Sequence, residues 1–336
     1  MNKYELTNET IIHFGHTLYR IRALKDFADV KAEDLGGYIE KESNLSQYGN
    51  AWVYGNARVC GDARVCGNAQ VYGNAQVYGG ARVYGDAQIY GDAQVYGNAR
   101  VYGDARVYGD ARVCGDARVC GDARVCDSAR VYGDARVYGD AQIYGDAQVY
   151  GNARVYGDAR VYGDARVYGN AQVYGNAWVY GNAQVYGGAR VYGDAQIYGD
   201  AQVCGNAQAY GDTQVCDSAR VYGDARVCGN AQVYGNAWVY GNARVCGDAR
   251  VCDSACVYGR TQIANNFDYL YFRGFGREAR PTTIFRTKDN IIMVKCDCFD
   301  GDLQQFEEQV HKTYAGTKHE AEYMEVIAGA KAHFKV

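Results

Sequence analysis

The sequence predicts a mainly β fold, a parallel β-solenoid, and two observations lead to that prediction. Hexapeptides of the type Ala-Arg-Val-Tyr-Gly-Asp follow one another in a single register from Ala51 to Ala264. Every sixth residue from Val53 to Ile263 is Val or Ile, with the one exception of Ala209. A unit of six residues cannot bury a core by itself, so successive units must stack to be stable.

The order of residues within a hexad predicts a strand followed by a corner. Successive side chains of a strand point to opposite faces, so Ala and Val face inward while Arg or Gln and Tyr or Cys face outward. Gly followed by Asp or Asn suits a tight corner, because these residues tolerate left-handed backbone angles. A helix is excluded, since a period of six does not match 3.6 and a Gly in every unit would break it. The hexad therefore predicts a four-residue strand and a two-residue corner.

The number of hexads sets the size of the predicted solenoid. Six-residue faces commonly close into a three-sided coil, so we expect 18 residues per coil and about twelve triangular coils from 36 hexads. At a strand spacing of about 4.8 Å, these coils predict a rod roughly 55–60 Å long. Each end of such a rod exposes unpaired strand edges that need a cap. We therefore divide the chain into an N-terminal β cap (1–50), the solenoid (51–264) and a C-terminal α+β module (265–336).

The two ends of the chain lack the hexad and carry patterns of their own. Residues 3–7 and 17–22 alternate around a turn near Phe14-Gly15, which predicts a small β hairpin. In the C-terminal module, Asp302 is placed to cap a helix with an apolar stripe that includes Phe306. The elements predicted there are strands at 269–272, 283–286 and 291–294 and helices at 303–314 and about 320–330.

Three segments resemble known families. The unit Val-x-Gly-(Asn/Asp)-Ala-x resembles the hexapeptide repeat of bacterial left-handed β-helices, which implies a left-handed single-stranded coil. The motif Cys-Asp-Cys-Phe-Asp-Gly at 296–301 is similar to small C-terminal modules of phage-type hypothetical proteins. The entry segment resembles the start of YdcK-like proteins, to which an acyltransferase activity is assigned by analogy; it comprises 24–32, 36–39, 44–47 and 49–54.

The resemblance to hexapeptide acyltransferases implies a histidine general base on the β-helix, and the histidines of this chain lie elsewhere. No group of the repeat titrates near neutrality except its thiols, which are poor bases without an activating neighbour. We therefore favour a non-enzymatic function and keep an acyltransferase as an alternative. The five histidines, all outside the hexads, are His13, His16, His311, His319 and His333.

Cysteine content and charge bound the location of the protein and its partners. Thirteen cysteines, an odd number, argue against a complete set of internal disulfides, and ten of them occupy the hexad position that is otherwise Tyr. So many unpaired thiols are expected in a reducing cytoplasm. No apolar run approaches the length of a membrane span, and the start of the chain does not resemble a signal peptide. The net charge of −4 does not favour nucleic acid or an anionic membrane as a partner.

When the hexads are placed on three faces, outward arginines collect on one of them. Like charges about 4.8 Å apart repel unless they are neutralised. Asp residues at the next corner are the expected partners, which would give a self-neutralised surface. The alternative is a strip that binds an anionic ligand or nucleic acid, with phosphates in place of those Asp. The six arginines on successive coils of this face are Arg64, Arg82, Arg100, Arg118, Arg136 and Arg154.

Tyr follows the inward aliphatic residue in most hexads and is predicted to form three aromatic ladders. Shielding of the Gly corners is the expected role, and stacking of bases or sugars is the alternative. We interpret the Tyr-to-Cys exchanges as products of duplication. Cys-Asp-Ser replaces Tyr-Gly-Asp at 126–128, 216–218 and 252–254, and separations that are multiples of three hexads place all three on one corner. No base is evident that would make these thiols nucleophiles.

Four residues near the C-terminus are candidate metal ligands. Cys296 and Cys298 are predicted to project from one side of a strand, and His311 and His319 follow. Two sulfur and two nitrogen ligands suit zinc. The spacing is not that of a standard zinc signature, so a buried structural thiol pair is the alternative. No other cofactor is predicted.

Together these patterns favour a structural rod, a spacer whose C-terminal module binds a protein partner or directs assembly. The alternatives are a multivalent ligand-binding solenoid that uses the row of arginines, and an acyltransferase of the hexapeptide type. The family resemblance implies a homo-oligomer, since trimers are common among relatives, whereas the unbroken charged faces of this chain indicate no clear interface. A cytoplasmic location without membrane association is expected.

Overall fold

Every hexad of the sequence forms one short strand in the structure. A computed structural model describes residues 2–336. Within the described residues 52–263, the chain forms 36 such strands, β4–β39. The chain divides into two units, one ending at Asn182 and one spanning Ala183–Val336. The first contains β4 (Trp52–Val53) to β25 (Trp178–Val179), and the second contains β26 (Gln184–Val185) to β39 (Gln262–Ile263).

Each strand pairs in parallel with the strand three hexads further along the chain. In the first unit, for example, Arg100 lies opposite Arg118. In the second unit, Gln202 lies opposite Arg220 in the same way. Within each unit this spacing sorts the strands into three parallel sheets. The predicted parallel β-solenoid with three hexads per coil is confirmed.

The strands are shorter than predicted, because the corner takes up more of the hexad. Most strands contain only the Arg or Gln and the Val or Ile of their hexad. The Ala57 amide donates to the Tyr54 carbonyl at 3.1 Å and closes a turn over the two residues between them. Gly55 in that turn has φ of 57°, the left-handed conformation that glycine adopts without steric cost. The exceptions to two-residue length are Arg190–Tyr192, Gln208–Gly211 and Arg226–Gly229.

The interior of the coils is built from Ala and Val or Ile, as predicted. These inward side chains are buried throughout the repeat, whereas Arg, Gln and most Tyr are half-buried or exposed. The Cys-Asp-Ser corners also keep the coil geometry. Asp127, Asp217 and Asp253 stand where other corners have Gly and adopt φ of 55–58°. Asp is one of the few non-glycine residues that visit this conformation routinely.

The N-terminal cap is a hairpin followed by a strand that joins the first coil. The strands β1 (Tyr4–His13) and β2 (His16–Ala23) are antiparallel, with the turn at the predicted Phe14-Gly15. The strand β3 (Leu35–Ile39) pairs antiparallel with β2 and parallel with a strand of the first coil. A 3₁₀ turn at Glu42–Asn44 precedes the repeat. The cap therefore continues one of the three solenoid sheets with paired backbone and covers the edge of that sheet.

The C-terminal module is a four-stranded antiparallel sheet followed by two helices. Both predicted helices and the three predicted strands are present, and Asp302 caps the first helix by accepting from the Gln305 amide at 2.8 Å. The sequence prediction missed the last strand. Neither helix has the length and apolarity that a membrane span requires, and the same holds for every described helix. The elements are β40 (Tyr269–Phe275), β41 (Arg280–Arg286), β42 (Ile292–Cys296), β43 (Phe299–Asp302), α1 (Leu303–Tyr314) and α2 (Lys318–Phe334).

Candidate ligand-binding surface of the first unit

One sheet of the first unit carries arginine at the same position of six successive strands. Each member lies directly opposite the next in the parallel register. Arg100 and Arg118 are half-buried, and the other four are exposed. We call this set the arginine ladder: Arg64, Arg82, Arg100, Arg118, Arg136 and Arg154. The predicted alignment of these residues is confirmed by their register.

The arginine ladder is not neutralised by contact with the neighbouring Asp residues. Among residues 2–336, no member of the ladder forms an ion pair. A Val, a Tyr or Cys and the corner Gly separate each Arg from the next corner side chain. At one of these corners, Asp140 lies beside Asp122 and Asp158 of the neighbouring coils. Loss of solvation and the carboxylates of Asp122 and Asp158 raise the pKa of Asp140. The predicted Asp partners thus form no direct ion pair with the ladder among the described residues, although Lys41 and, to a smaller extent, the charge of Arg64 lower the pKa of Asp62 at the preceding corner.

Tyrosine rings line the same sheet and stack along it, as predicted. Tyr84 and Tyr102 have ring centroids 4.9 Å apart with planes within 1° of parallel. Tyr138 and Tyr156 repeat this geometry at 4.9 Å and 2°. These values are those of offset-stacked aromatic pairs. The sheet thus presents a row of parallel rings beside a row of guanidinium groups.

Cys120 interrupts this row between Tyr102 and Tyr138, and a cavity opens there. Its volume is about 210 Å³. The Tyr102 hydroxyl hydrogen-bonds with the Cys120 thiol, and this bond together with burial raises the pKa of Tyr102 to about 12. We call the cavity the ring gap. It is lined by Tyr102, Arg118, Cys120, Arg136, Tyr138 and Arg154.

Sequence reasoning placed the arginines but missed the ring gap. It treated the exchange of Tyr for Cys as a trace of duplication, with no structural consequence. The available signal was the position of Cys120, which lies three hexads after Tyr102 and three hexads before Tyr138. In a coil of three hexads, that position places a small side chain between two aromatic rings.

The structure does not bring the four candidate zinc ligands together. Cys296 ends β42 and is buried, with its sulfur 3.2 Å from the Thr282 hydroxyl oxygen. Cys298 is exposed in the following turn, where Asp297 has φ of 52°. The prediction that both thiols project from one side of a strand is therefore wrong, because the strand ends between them.

The two histidines of that candidate site are paired with carboxylates. His311 Nδ1 lies 2.7 Å from Glu320 Oε1, and His319 Nδ1 lies 3.0 Å from Glu322 Oε2. Within residues 2–336, no group of three or more His, Cys, Asp or Glu side chains is arranged to hold a metal ion. These histidines serve instead as contacts within the helical part of the module.

The C-terminal module contains a cavity of its own. Its volume is about 300 Å³, and aromatic and aliphatic side chains form much of its wall. Arg280 contributes a charged group and pairs with Asp297. Both Cys296 and Cys298 line the cavity, although they do not share a strand face.

The N-terminal histidines lie in the hairpin of the cap. His16 Nδ1 is 2.9 Å from Glu40 Oε1, and His13 Nδ1 is 3.2 Å from a guanidinium nitrogen of Arg58. Burial and the charge of Arg58 lower the pKa of His13. The other three histidines belong to α1 and α2.

Comparison with protein families relates the repeat to a described solenoid. Segments covering just over half of the chain match the family model described as YdcK beta solenoid repeat. Comparison with curated proteins finds no significant match. The matched segments are 51–67, 57–73, 69–85, 75–91, 93–109, 111–127, 117–133, 129–145, 147–161, 159–172, 171–187, 183–199, 219–235 and 231–245.

Proposed function

We propose that this chain, which belongs to the YdcK β-solenoid repeat family, is a non-enzymatic scaffold whose C-terminal module binds a protein partner. The coils provide a repeating support, and residues 265–336 provide the non-repetitive surface that specific recognition requires. The observation that carries this proposal is the attachment of the module to the coils of its own unit.

Hydrogen bonds and ring contacts join the module to the last coils of the second unit. The Cys256 amide donates to the Thr283 hydroxyl at 2.9 Å. The Lys288 amide donates to the Arg260 carbonyl at 3.1 Å. The ring of Phe285 packs edge-on against the ring of Tyr258 at a centroid distance of 5.2 Å. These contacts cover the final strand edges and fix the module in place, which suits an end-piece that presents a surface.

The cavity of the module supports a partner with a particular chemistry. Phe299, Phe306 and Val310 provide an apolar wall, and Arg280, paired with Asp297, provides a polar edge. Buried apolar anchors beside one oriented charge are typical of binding sites for protein segments. We therefore propose that the partner inserts an apolar side chain against this wall.

Substitutions at the mouth of this cavity test the proposal in the full-length chain. Gln309 and Thr313 are exposed residues of α1 that line it. We expect Q309R combined with T313R to fill the mouth with two charges and reduce recovery of a co-purifying protein about tenfold, roughly 1.4 kcal/mol. The matched control is E308K on the same helix, outside the cavity lining. Equal recovery with the double variant and the control would contradict the proposal.

A second candidate function is binding of an anionic ligand along the arginine ladder. The observation that favours it is the absence of ion pairs to any of the six arginines among the described residues. Phosphates bound there would reduce the mutual repulsion of the guanidinium groups and gain charge-assisted hydrogen bonds.

Glutamine replacements test this candidate without disturbing the coil. The ladder position is naturally Gln at Gln172, directly opposite Arg154, so Gln is compatible with the strand. We expect the triple variant R64Q/R82Q/R100Q to bind inorganic polyphosphate more weakly and with a shallower dependence on salt. The control carries R112Q/R130Q/R166Q on another sheet of the same unit. Equal weakening by both triples would show that general charge, and not the ladder, is responsible.

A further inference from the structure

We propose that the ring gap binds a nucleotide, whose planar base takes the place of the missing tyrosine ring between Tyr102 and Tyr138 while its phosphate pairs with Arg118, Arg136 or Arg154. This inference rests on the second candidate function above and names the ligand class. The base supplies a planar ring for the aromatic walls, and the phosphate supplies a charge for the arginines.

The thickness of the ring gap follows from the geometry of its neighbours. Intact pairs on either side are parallel and stack with centroids 4.9 Å apart. Replacing a single ring of such a row by the small side chain of Cys120 leaves a space one ring thick between two parallel faces. Every nucleobase is a planar ring of this thickness. Stacking on aromatic side chains does not discriminate between bases, because each base has a π-face. The gap is therefore suited to a planar aromatic group.

The charges around the ring gap favour a phosphate. Three consecutive members of the arginine ladder line the cavity, and none of its lining residues is acidic. Arg118 is half-buried beside Cys120, so its charge is less exposed to screening by salt than that of a fully exposed side chain. The planar fork of arginine matches phosphate in a bidentate fashion. Together these groups select an aromatic ligand with an anionic substituent.

Two other cysteines on the same coil provide natural comparisons. Cys114 and Cys126 also replace tyrosines, in hexads that precede and follow the hexad of Cys120. On the sheet of Cys114, Arg112 lies opposite Arg130, and the next strand carries Gln148 at the same position. Beside Cys126, Arg124 is followed by Gln142. Of these three hexads, only that of Cys120 combines the missing ring with three arginines in succession, so we assign the nucleotide site there.

The test measures binding of adenosine 5′-monophosphate to the full-length chain by isothermal titration calorimetry. We expect saturable binding of one nucleotide per chain. The variant C120Y restores the missing ring and should weaken binding at least tenfold while leaving the melting temperature unchanged or higher. The variant R136Q should weaken binding about tenfold, because one charge-assisted contact is lost. The control C114Y fills the comparable gap on another sheet and should bind within about twofold of the parent.

Further binding measurements separate this inference from the candidate function on which it rests. C120Y should still bind inorganic polyphosphate, since it keeps all six arginines. Loss of both ligands in C120Y, or equal binding of the nucleotide by C120Y and the parent chain, would overturn the assignment, as would absence of nucleotide binding to the parent. A single-stranded oligonucleotide compared with the mononucleotide identifies the source of the ligand: tighter binding of the oligonucleotide indicates a strand, and equal binding indicates the free nucleotide.

Discussion

Lys3 donates from its side-chain ammonium to the carbonyl oxygen of Ala51 at 2.7 Å, in the buried interior of the N-terminal cap. This carbonyl belongs to the first hexad, where no earlier coil can supply a backbone donor. The ammonium also lies 5.2 Å from the centroid of the Phe27 ring. Burial, and then the charge of Lys25, lower the pKa of Lys3 to about 8. The Lys3 ammonium thus caps the first hexad, and its pKa is lower in the folded state than in the unfolded chain.

This relationship predicts that stability depends on pH through Lys3. Between about pH 8 and the unfolded value of 10.5, the unfolded chain holds a proton that the folded chain has released. The contribution of Lys3 to the free energy of unfolding must therefore rise with pH across this window, by at most about 3 kcal/mol. We expect the difference between the parent and K3M, measured by urea unfolding, to increase from pH 7.5 to 10.5.

Subtraction of the K3M curve is essential because the thiols act in the opposite direction. Burial raises the pKa of Cys60 to about 11, so the folded state resists its ionisation and loses stability as pH rises above the unfolded value of 9. That loss is common to the parent and K3M and cancels in the difference. A difference that stays constant with pH would contradict the assignment to Lys3.

Asn44 is a second buried polar residue that caps the first coil, and its replacement should lower the free energy of unfolding. Its side-chain amide donates to the carbonyl oxygens of Gly61 at 3.0 Å and Ala63 at 2.8 Å, and the residue is fully buried. Replacing Asn44 by Ala leaves both carbonyls without these bonds, and we expect a loss of about 1–3 kcal/mol in the free energy of unfolding. The control is N68A, which removes an exposed amide at another corner and should cost less than about 0.5 kcal/mol.

Asp127 should tolerate Asn but not Ala. Its φ of 55° is left-handed, and its carboxylate accepts from the Gly145 amide at 3.1 Å in the next coil. Asn shares both the tolerance of this conformation and a side-chain acceptor, whereas Ala has neither. We expect D127A to lower the free energy of unfolding by about 1–2 kcal/mol and D127N by less than about 0.5 kcal/mol. Asp116, which follows a Gly at an ordinary corner, is the control, and a D116A loss as large as that of D127A would refute the explanation.

Restoring a ring in a tyrosine ladder should stabilise the coils. Cys114 lies between two stacked pairs, Tyr78 with Tyr96 and Tyr132 with Tyr150. A tyrosine at 114 would connect them, and each new stacking contact contributes about 0.5–1.5 kcal/mol. The hydrogen bond from Tyr96 to the Cys114 thiol is lost at the same time. We expect C114Y to melt at a higher temperature than the parent and C114S. A lower melting temperature would show that the space at Cys114 does not accommodate a stacked tyrosine ring.

The coil register was predictable from the sequence, whereas details that depend on side-chain direction were not. Inward Val and Ala fix which side chains face out, and the expectation of three hexads per coil then placed Arg100 opposite Arg118. The ion pairs expected for the arginine ladder depended on whether Asp side chains reach across a corner, which spacing does not determine. The strand Phe299–Asp302 escaped detection because, apart from Phe299, it consists of Gly and Asp, which rarely mark a strand. Cys298 was misplaced because the turn at Asp297 begins directly after the buried Cys296.

The most direct test of the account uses the native thiols to measure the length of one coil. Cys228 and Cys246 are separated by three hexads, and burial together with the neighbouring Cys228 thiol raises the pKa of Cys246. Cys204 and Cys252 are each separated from Cys228 by four hexads and would be its neighbours in a four-sided coil. After brief reaction with a short bis-alkylating thiol reagent, peptide mass spectrometry should find Cys228 joined to Cys246. Joining of Cys228 to Cys204 or Cys252 instead would contradict the three-hexad register, and with it the arginine ladder and the ring gap.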